Sequence, residues 1–353
     1  MTSFPTTLAE YYNTTYSKCA QMFGLIDSPE FLSIGSKSLA LVIIPINLFG
    51  FLCILCRTPK YMKGFKWHLM HLHFWFLMLT TCYTLLATTY AFYPAQVRCS
   101  VGFLSHLRIS SEYQFILITF VYIGLSTSII MLFENRHKHL VPPTDIFYRI
   151  HDTHRIVLGV LNFCLGSTTY LPTLVTTVLA TDRQQRQEQL KLAYLAVVPC
   201  PTALFFDPCS VAYDTSRTIW SIMANVCSGI TSTQLLFFIV HSVWYLRKFR
   251  KMDNFSERTK HMQKAFFVAS LVQVTAPICV IAGPLMMLTY IMTTGRYQQG
   301  LINVCILAIP AHSLFSTAAL LYFIAPYRKF VKRLLRIEEE SNTRMNMVSS
   351  VNL

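Results

Sequence analysis

The chain has 353 residues, of which 53% are hydrophobic and only 13% are charged. Ordinary soluble domains carry roughly a quarter charged residues, so this composition argues against a soluble protein. The 30 Lys and Arg residues outnumber the 16 Asp and Glu residues, which gives a formal net charge of +14. The distribution of that charge along the chain decides whether it indicates a nucleic-acid partner or a membrane topology.

Seven segments of 19 to 29 residues contain no Asp, Glu, Lys or Arg. A helix that rises 1.5 Å per residue needs roughly 20 residues to cross a hydrocarbon core about 30 Å thick. Backbone groups find no water in lipid, and long unbroken apolar segments satisfy them by forming helices. The sequence therefore predicts an all-α, seven-transmembrane helix bundle. The predicted spans are residues 38–56, 67–92, 113–133, 156–179, 218–246, 265–292 and 301–325.

The connectors between the predicted spans differ in charge, and this difference predicts the orientation. With residues 1–37 outside, the outer segments hold 9 basic residues and the inner segments hold 21, while each set holds eight acidic residues. Lys and Arg are retained on the cytoplasmic side of membranes. We therefore expect residues 1–37 outside and residues 326–353 inside. Basic residues on short connectors beside anionic lipid also argue against a nucleic-acid partner.

Two features of the predicted outer segments follow from this topology. The acceptor sequence at Asn13 lies outside and the one at Asn254 lies inside, so a glycan is expected on Asn13 only. Four of the eleven cysteines are also assigned outside, where at least one disulfide is expected and its pairing is left open. These cysteines are Cys19, Cys99, Cys200 and Cys209.

The predicted inner surface carries two groups of charged residues. The third span is followed by Glu134, Asn135 and Arg136. Because Arg keeps its proton, it must reach water, pair with a carboxylate or contact a partner. These charges either end the span at the headgroup layer or act as a switch. The connector 247–264, which includes Arg250, Lys251 and Lys264, is either a docking surface for a cytosolic partner or a membrane anchor.

Residues 328–337 have the pattern of a short amphipathic helix. Apolar residues occupy positions 330, 331, 334 and 335, and basic residues occupy 328, 329, 332, 333 and 336. The spacing gives one apolar face and one cationic face. We expect this helix to lie on the lipid of the inner leaflet.

The order of these features resembles the plan of seven-helix G-protein-coupled receptors, and in its details the chain is similar to the nematode serpentine chemoreceptors of class H. The resemblance extends from about Pro29 to Arg336. The residues that carry it are Trp67, His71, His73-Phe74-Trp75, Glu134-Asn135-Arg136, Pro199-Cys200, Gln273, Pro277, Pro284 and Pro326-Tyr327-Arg328.

The resemblance implies a chemosensory receptor in the plasma membrane of a sensory neuron, at its cilium. It would bind a small odorant or pheromone and signal through a heterotrimeric G protein, and pairing with a second receptor stays open. Glu134, Asn135 and Arg136 would correspond by position to the Asp-Arg-Tyr triplet of rhodopsin-like receptors, with Arg136 contacting the G protein. The tyrosine of that triplet is absent, and His137 follows Arg136 instead. An Asn-Pro-x-x-Tyr element is also absent from the sequence.

Ligand sites in helix bundles form between helices, where apolar walls surround a few polar groups. The predicted spans offer seven such side chains, six in their outer halves and His312 near the middle of the membrane. They are Tyr90, Tyr113, Trp220, Asn225, Tyr290, Asn303 and His312. Each can equally be a packing or interfacial residue.

Two other classes of function are weaker alternatives. A zinc enzyme would need His68, His71 and His73 to converge with further ligands, and no carboxylate lies within the spans to complete the set. We expect no enzymatic activity, metal or cofactor. A ligand-gated channel or transporter is the main alternative, although such proteins usually place ionisable residues inside their spans or repeat one half of the fold.

Overall fold

The computed structural model describes residues 5–19, 23–60, 63–141, 145, 152–178, 182–213, 218–250 and 257–335. Its helices are α1 Leu8–Thr14, α2 Pro29–Arg57, α3 Lys63–Thr81, α4 Phe103–His106, α5 Ser111–Leu140, α6 Asp152–Val178, α7 Arg183–Leu195, α8 Thr218–Arg250, α9 Glu257–Thr294, α10 Gln299–Ala308, α11 His312–Phe323 and α12, residues 325–335. Its strands are β1 Thr89–Phe92, β2 Val97–Ser100 and β3 Val211–Ala212.

The predicted all-α membrane bundle is confirmed. Among the residues that the structure describes, six helical segments are long and apolar enough to cross a membrane: α2, α3 with the turn that follows it, α5, α8, α9, and α10 joined to α11. Helix α6 covers the fourth predicted span. The seventh span is interrupted at Ile309–Ala311, where Pro310 lies in a single 3₁₀ turn between α10 and α11.

Several helix boundaries differ from the predicted spans. The second span was predicted to end at residue 92, but a π turn at Cys82–Leu86 ends the helix and Thr89–Phe92 forms β1. Threonine and aromatic residues favour a strand there, and β1 pairs antiparallel with β2. Helix α9 begins at Glu257 instead of residue 265. The absence of charge marks the lipid-embedded part of a helix, and a helix can extend beyond it.

One end of the bundle is closed by a compact cap, which we define as residues 5–19, 23–28, 87–110 and 182–213. A three-stranded sheet in the order β1-β2-β3 lies within it. Disulfides join Cys19 to Cys200 and Cys99 to Cys209. The cap packs on the helix ends beside it through a hydrophobic core separate from that of the bundle, which includes Tyr11, Tyr90, Phe92 and Phe205 of the cap and Ile302 of α10.

Helix α5 is the centre of the bundle and packs against α3, α6 and α8. Close approach of α3 depends on Gly124, because a Cβ at this position would lie 2.4 Å from the indole carbons of Trp75. Gly229 on α8 is a useful contrast, since a Cβ there would meet nothing within 4 Å.

We expect Gly124→Ala to lower the free energy of unfolding by roughly 1 to 3 kcal/mol, because it forces an extra carbon into a closely packed contact. Thermal unfolding of the purified protein in detergent would measure this change. Gly229→Ala is the matched control and is expected to leave the protein equally stable or slightly more stable, because Ala favours a helix over Gly. Equal melting temperatures for both variants would show that the α3–α5 contact is looser than described.

Candidate functional site at the Arg136 end of α5

Helix α5 continues past the charged triplet to Leu140. The helix therefore extends past these charges, and Glu134, Asn135 and Arg136 are all buried. Because a helix can continue beyond the lipid, the two interpretations of the triplet, the end of the span or a switch, both stay predictions. The helix stops only where two prolines follow Val141 in the sequence, because a residue before proline avoids the helical conformation. We call this region of the bundle the Arg136 end.

The side chain of Arg136 crosses the interior of the bundle. Its Nε donates a hydrogen bond to the hydroxyl of Ser270 on α9, at 3.2 Å. Its guanidinium carbon lies 3.1 Å from the centre of the Phe65 ring on α3. A cation over an aromatic face is stabilised most when both groups are shielded from water. Arg136 therefore links α5 to two neighbouring helices through uncharged groups.

The residues on either side of Arg136 reach two further helices. The carboxylate of Glu134 pairs with Arg155 on α6, and both side chains are about 10% exposed. His137 Nε2 lies 2.6 Å from His241 Nδ1 on α8, with the two rings stacked. Within four consecutive residues, α5 thus contacts α3, α6, α8 and α9. The Asn135 amide nitrogen is buried and has no hydrogen-bond partner among the described residues.

Helix α12 is held against the same end of the bundle. The hydroxyls of Tyr327 and Thr58 lie 2.7 Å apart, and the Arg57 guanidinium carbon is 4.2 Å from the centre of the Phe330 ring. Leu334 and Leu335 are exposed on the apolar face of α12. The predicted amphipathic helix is therefore present, with its apolar face available to lipid.

Of the other residues predicted to contact a G protein, the structure describes the side chain of Lys264 only. Lys264 is exposed on α9. The side chain of Arg250 and the whole of Lys251 lie outside the described residues. The partners of Arg136 were missed by the sequence reasoning, because Phe65 and Ser270 are uncharged and have no distinctive spacing.

Comparison with known proteins identifies the family. A sequence profile described as "Serpentine type 7TM GPCR chemoreceptor Srh" matches residues 27–337. The chain belongs to this family. It is also 25% identical, over 337 residues, to a protein named "Serpentine receptor class H-72" from Caenorhabditis elegans, a match that covers 95% of this chain and 94% of the relative. The resemblance inferred from the sequence motifs is confirmed.

Among the predicted ligand-binding side chains that the structure of this serpentine receptor describes, Tyr90 and Asn303 lie close to each other, whereas Tyr113, Tyr290 and His312 lie elsewhere. Tyr113 and Tyr290 are more than half exposed on the outside of the bundle. His312 is buried beside Phe76, and its Nδ1 lies 2.6 Å from the Ile309 carbonyl oxygen. The side chains of Trp220 and Asn225 lie outside the described residues.

Tyr90 and Asn303 hold the segment before α2 in place. The Tyr90 hydroxyl donates to the carbonyl oxygen of Asp27, and the Asn303 amide donates to that of Ile26 at 2.8 Å. Both side chains are fully buried. Their polar atoms thus have partners within the cap, which favours a structural role over ligand contact.

The histidines considered as metal ligands are dispersed in the same way. His71 accepts a hydrogen bond from the Trp75 indole at 2.9 Å, and His73 Nε2 lies 3.0 Å from the Asn47 carbonyl oxygen. In the part of the chain that the structure describes, no group of three or more His, Cys, Asp or Glu side chains could hold a metal ion.

The cap contains one buried lysine, Lys191 on α7, whose ammonium nitrogen lies 3.4 Å from the carbonyl oxygen of Asp207. Burial lowers the pKa of Lys191 to about 8, although the Asp207 carboxylate favours the charged form. An unfolded lysine has a pKa of about 10.4, so between pH 8 and 10 the unfolded state binds more protons than the folded state. Stability contributed by this group therefore rises with pH across that window.

We expect the free energy of unfolding to gain on the order of 2 kcal/mol from Lys191 between pH 8 and 10. Lys191→Met should remove this part of the pH dependence and raise stability at pH 7, because no charged group is then buried. Thermal unfolding of both proteins in detergent at several pH values would measure the difference. If the stability of the two proteins changed with pH in the same way, the result would contradict the burial of a charged lysine.

Proposed function

We propose that this receptor lies in the plasma membrane of a chemosensory neuron, at its cilium, with the cap outside and the Arg136 end facing the cytosol. It binds a small environmental molecule and activates a heterotrimeric G protein. Membership in a chemoreceptor family supports the class of function. The individual steps rest on the arguments that follow.

Two independent features support this orientation. The disulfides Cys19–Cys200 and Cys99–Cys209 lie in the cap, and disulfides persist in oxidising compartments outside the cytosol. The connectors at the opposite end carry the excess of Lys and Arg. Asn13, the predicted glycan acceptor, is exposed on α1 in the cap.

The contact of Arg136 with Ser270 and Phe65 supports G-protein coupling most directly. It links α5 to α9 through the neutral hydroxyl of Ser270 and to α3 through the ring of Phe65. Hydrogen bonds that involve one charged group contribute roughly 1.5 to 3 kcal/mol, an amount that a bound ligand can offset. Separation of α9 from α5 would free the guanidinium and expose it to a cytosolic partner.

Glu134 and His137 serve a different purpose in this proposal. Glu134 is engaged with Arg155 and His137 with His241, so α6 and α8 stay attached to α5 when α9 moves. Helix α5 is thus held to α6 by a buried ion pair and to α9 by a hydrogen bond from Arg136 to a neutral hydroxyl. That asymmetry favours α9 as the moving helix.

We expect Arg136→Ala to abolish ligand-stimulated nucleotide exchange on a Gα subunit while surface expression is retained, because the cation that would meet the G protein is gone. The assay compares the two proteins in membranes, with cell-surface labelling as the expression control. Lys264→Ala is a matched loss of one cation from the same end, and its effect should be smaller because Lys264 is exposed on α9 and does not contact the buried segment.

Equal exchange by the parent and Arg136→Ala would refute the role assigned to Arg136. A ligand-gated current in a reconstituted membrane without any G protein would instead favour the channel alternative.

A further inference from the structure

A groove runs between α5, α8 and α9 near the middle of each helix. Its volume is about 230 Å³. Its walls combine aliphatic side chains with four hydroxyl-bearing residues, Tyr122, Ser126, Thr231 and Ser232. No charged side chain lines it. The composition fits an uncharged occupant, because apolar walls with a few polar groups are typical of small-molecule sites.

The groove opens sideways, away from the interior of the bundle. Along their described lengths, α8 and α9 barely contact each other, while α8 packs on α5 and α9 packs on α11. Ser126 on α5 and Ser232 on α8 are both exposed in this gap. In a membrane-spanning bundle the same gap faces the hydrocarbon core.

The two exposed serine hydroxyls make no hydrogen bond to any residue that the structure describes. Neighbouring hydroxyls behave differently: Ser128 donates to the Leu125 carbonyl oxygen at 2.8 Å, and Thr231 donates to the Ser228 carbonyl oxygen at 3.0 Å. A hydroxyl in hydrocarbon without a partner is unfavourable. A molecule with a hydrogen-bonding group in the groove would remove that cost at both serines.

We propose that this groove is a ligand site for a small, uncharged molecule that carries one hydroxyl or carbonyl group and enters from the lipid phase. The inference rests on the proposed receptor function and names the class of ligand for it. The groove is smaller than the roughly 300 to 1,000 Å³ of sites for drug-sized molecules, which restricts the occupant to compact compounds.

The position of the groove connects it to the Arg136 end. Ile278 in its wall lies on α9, eight residues from Ser270, and Ile130 lies on α5, six residues from Arg136. An occupant therefore sits between the same two helices that the Arg136–Ser270 hydrogen bond joins. Filling the groove changes the spacing of α5 and α9 about two helical turns from that bond.

Photolabelling of the full-length receptor in lipid nanodiscs tests the proposal. The probe is 1-octanol with a diazirine on its chain, and mass spectrometry identifies the labelled peptides. Label is expected on the α5 peptide with Ser126 and the α8 peptide with Ser232. Excess 1-octanol should displace it, whereas octanoate should not, because the groove offers no cation for a carboxylate.

Two sets of variants sharpen the test. Ser232→Phe fills the groove and should remove the displaceable label, while Thr233→Phe, an exposed position outside the groove on the same helix, should not. The double variant Ser126→Ala with Ser232→Ala keeps the space but removes both hydroxyls. It should weaken displacement by 1-octanol about tenfold, the effect of losing one or two net hydrogen bonds.

Label spread evenly over the lipid-facing helices, or label unchanged in both Ser232→Phe and the double alanine variant, would overturn the proposal. Because labelling needs no G protein, such a result would leave the test of Arg136 intact. Conversely, specific labelling without any nucleotide exchange would count against the proposed coupling and not against the groove.

Discussion

A guanidinium that keeps its proton is buried at the end of α5, and the arrangement of the surrounding helices depends on how it is accommodated. Arg136 is 6% exposed, and its known contacts are a neutral hydroxyl on α9 and an aromatic face on α3. Burying a charge is unfavourable unless it is well solvated by protein groups. Phe65 and Ser270 contribute to the stabilisation of this buried cation, so a change in their positions would alter how α3 and α9 pack on α5.

The two ends of the molecule are held together by different kinds of interaction. The cap is cross-linked by two disulfides that join segments 181 and 110 residues apart, and it has a separate hydrophobic core. The Arg136 end has no covalent link among its described residues and depends on hydrogen bonds, an ion pair and ring contacts. Movement on ligand binding would therefore be concentrated at the Arg136 end, while the cap stays fixed.

Much of the fold could be predicted from the sequence, because a segment that spans lipid must be long and nearly free of charged residues. The absence of charge located the spans, and the motifs identified the family. The strand at Thr89–Phe92 was missed because its residues are as apolar as those of a helix. The partners of Arg136 and the serines of the groove were also missed. Ser126, Ser232 and Ser270 are small and uncharged, and only the packing of distant helices gives them a role.

The disulfide pairing could not be predicted from the sequence either. Four cysteines in one compartment allow three pairings, and spacing along the chain does not choose among them. The choice depends on how β2 and the segments around Cys19 and Cys200 meet in the cap. Tyr90 and Asn303 were predicted to meet a ligand, and the depth of Tyr90 in the membrane was inferred from a span that ends earlier than expected. Their partners are instead backbone groups before α2.

In the proposed mechanism, the Arg136–Ser270 contact holds α9 against α5. The most direct measurement is the distance between spin labels on Ile156 of α6 and Lys264 of α9, both exposed, by pulsed electron paramagnetic resonance in nanodiscs. Ser270→Ala should shift this distance distribution to longer values, because the link is lost. Ser242→Ala, which removes a buried serine hydroxyl without a hydrogen-bond partner among the described residues, should leave the distribution unchanged. Identical distributions for the parent and Ser270→Ala would contradict the account.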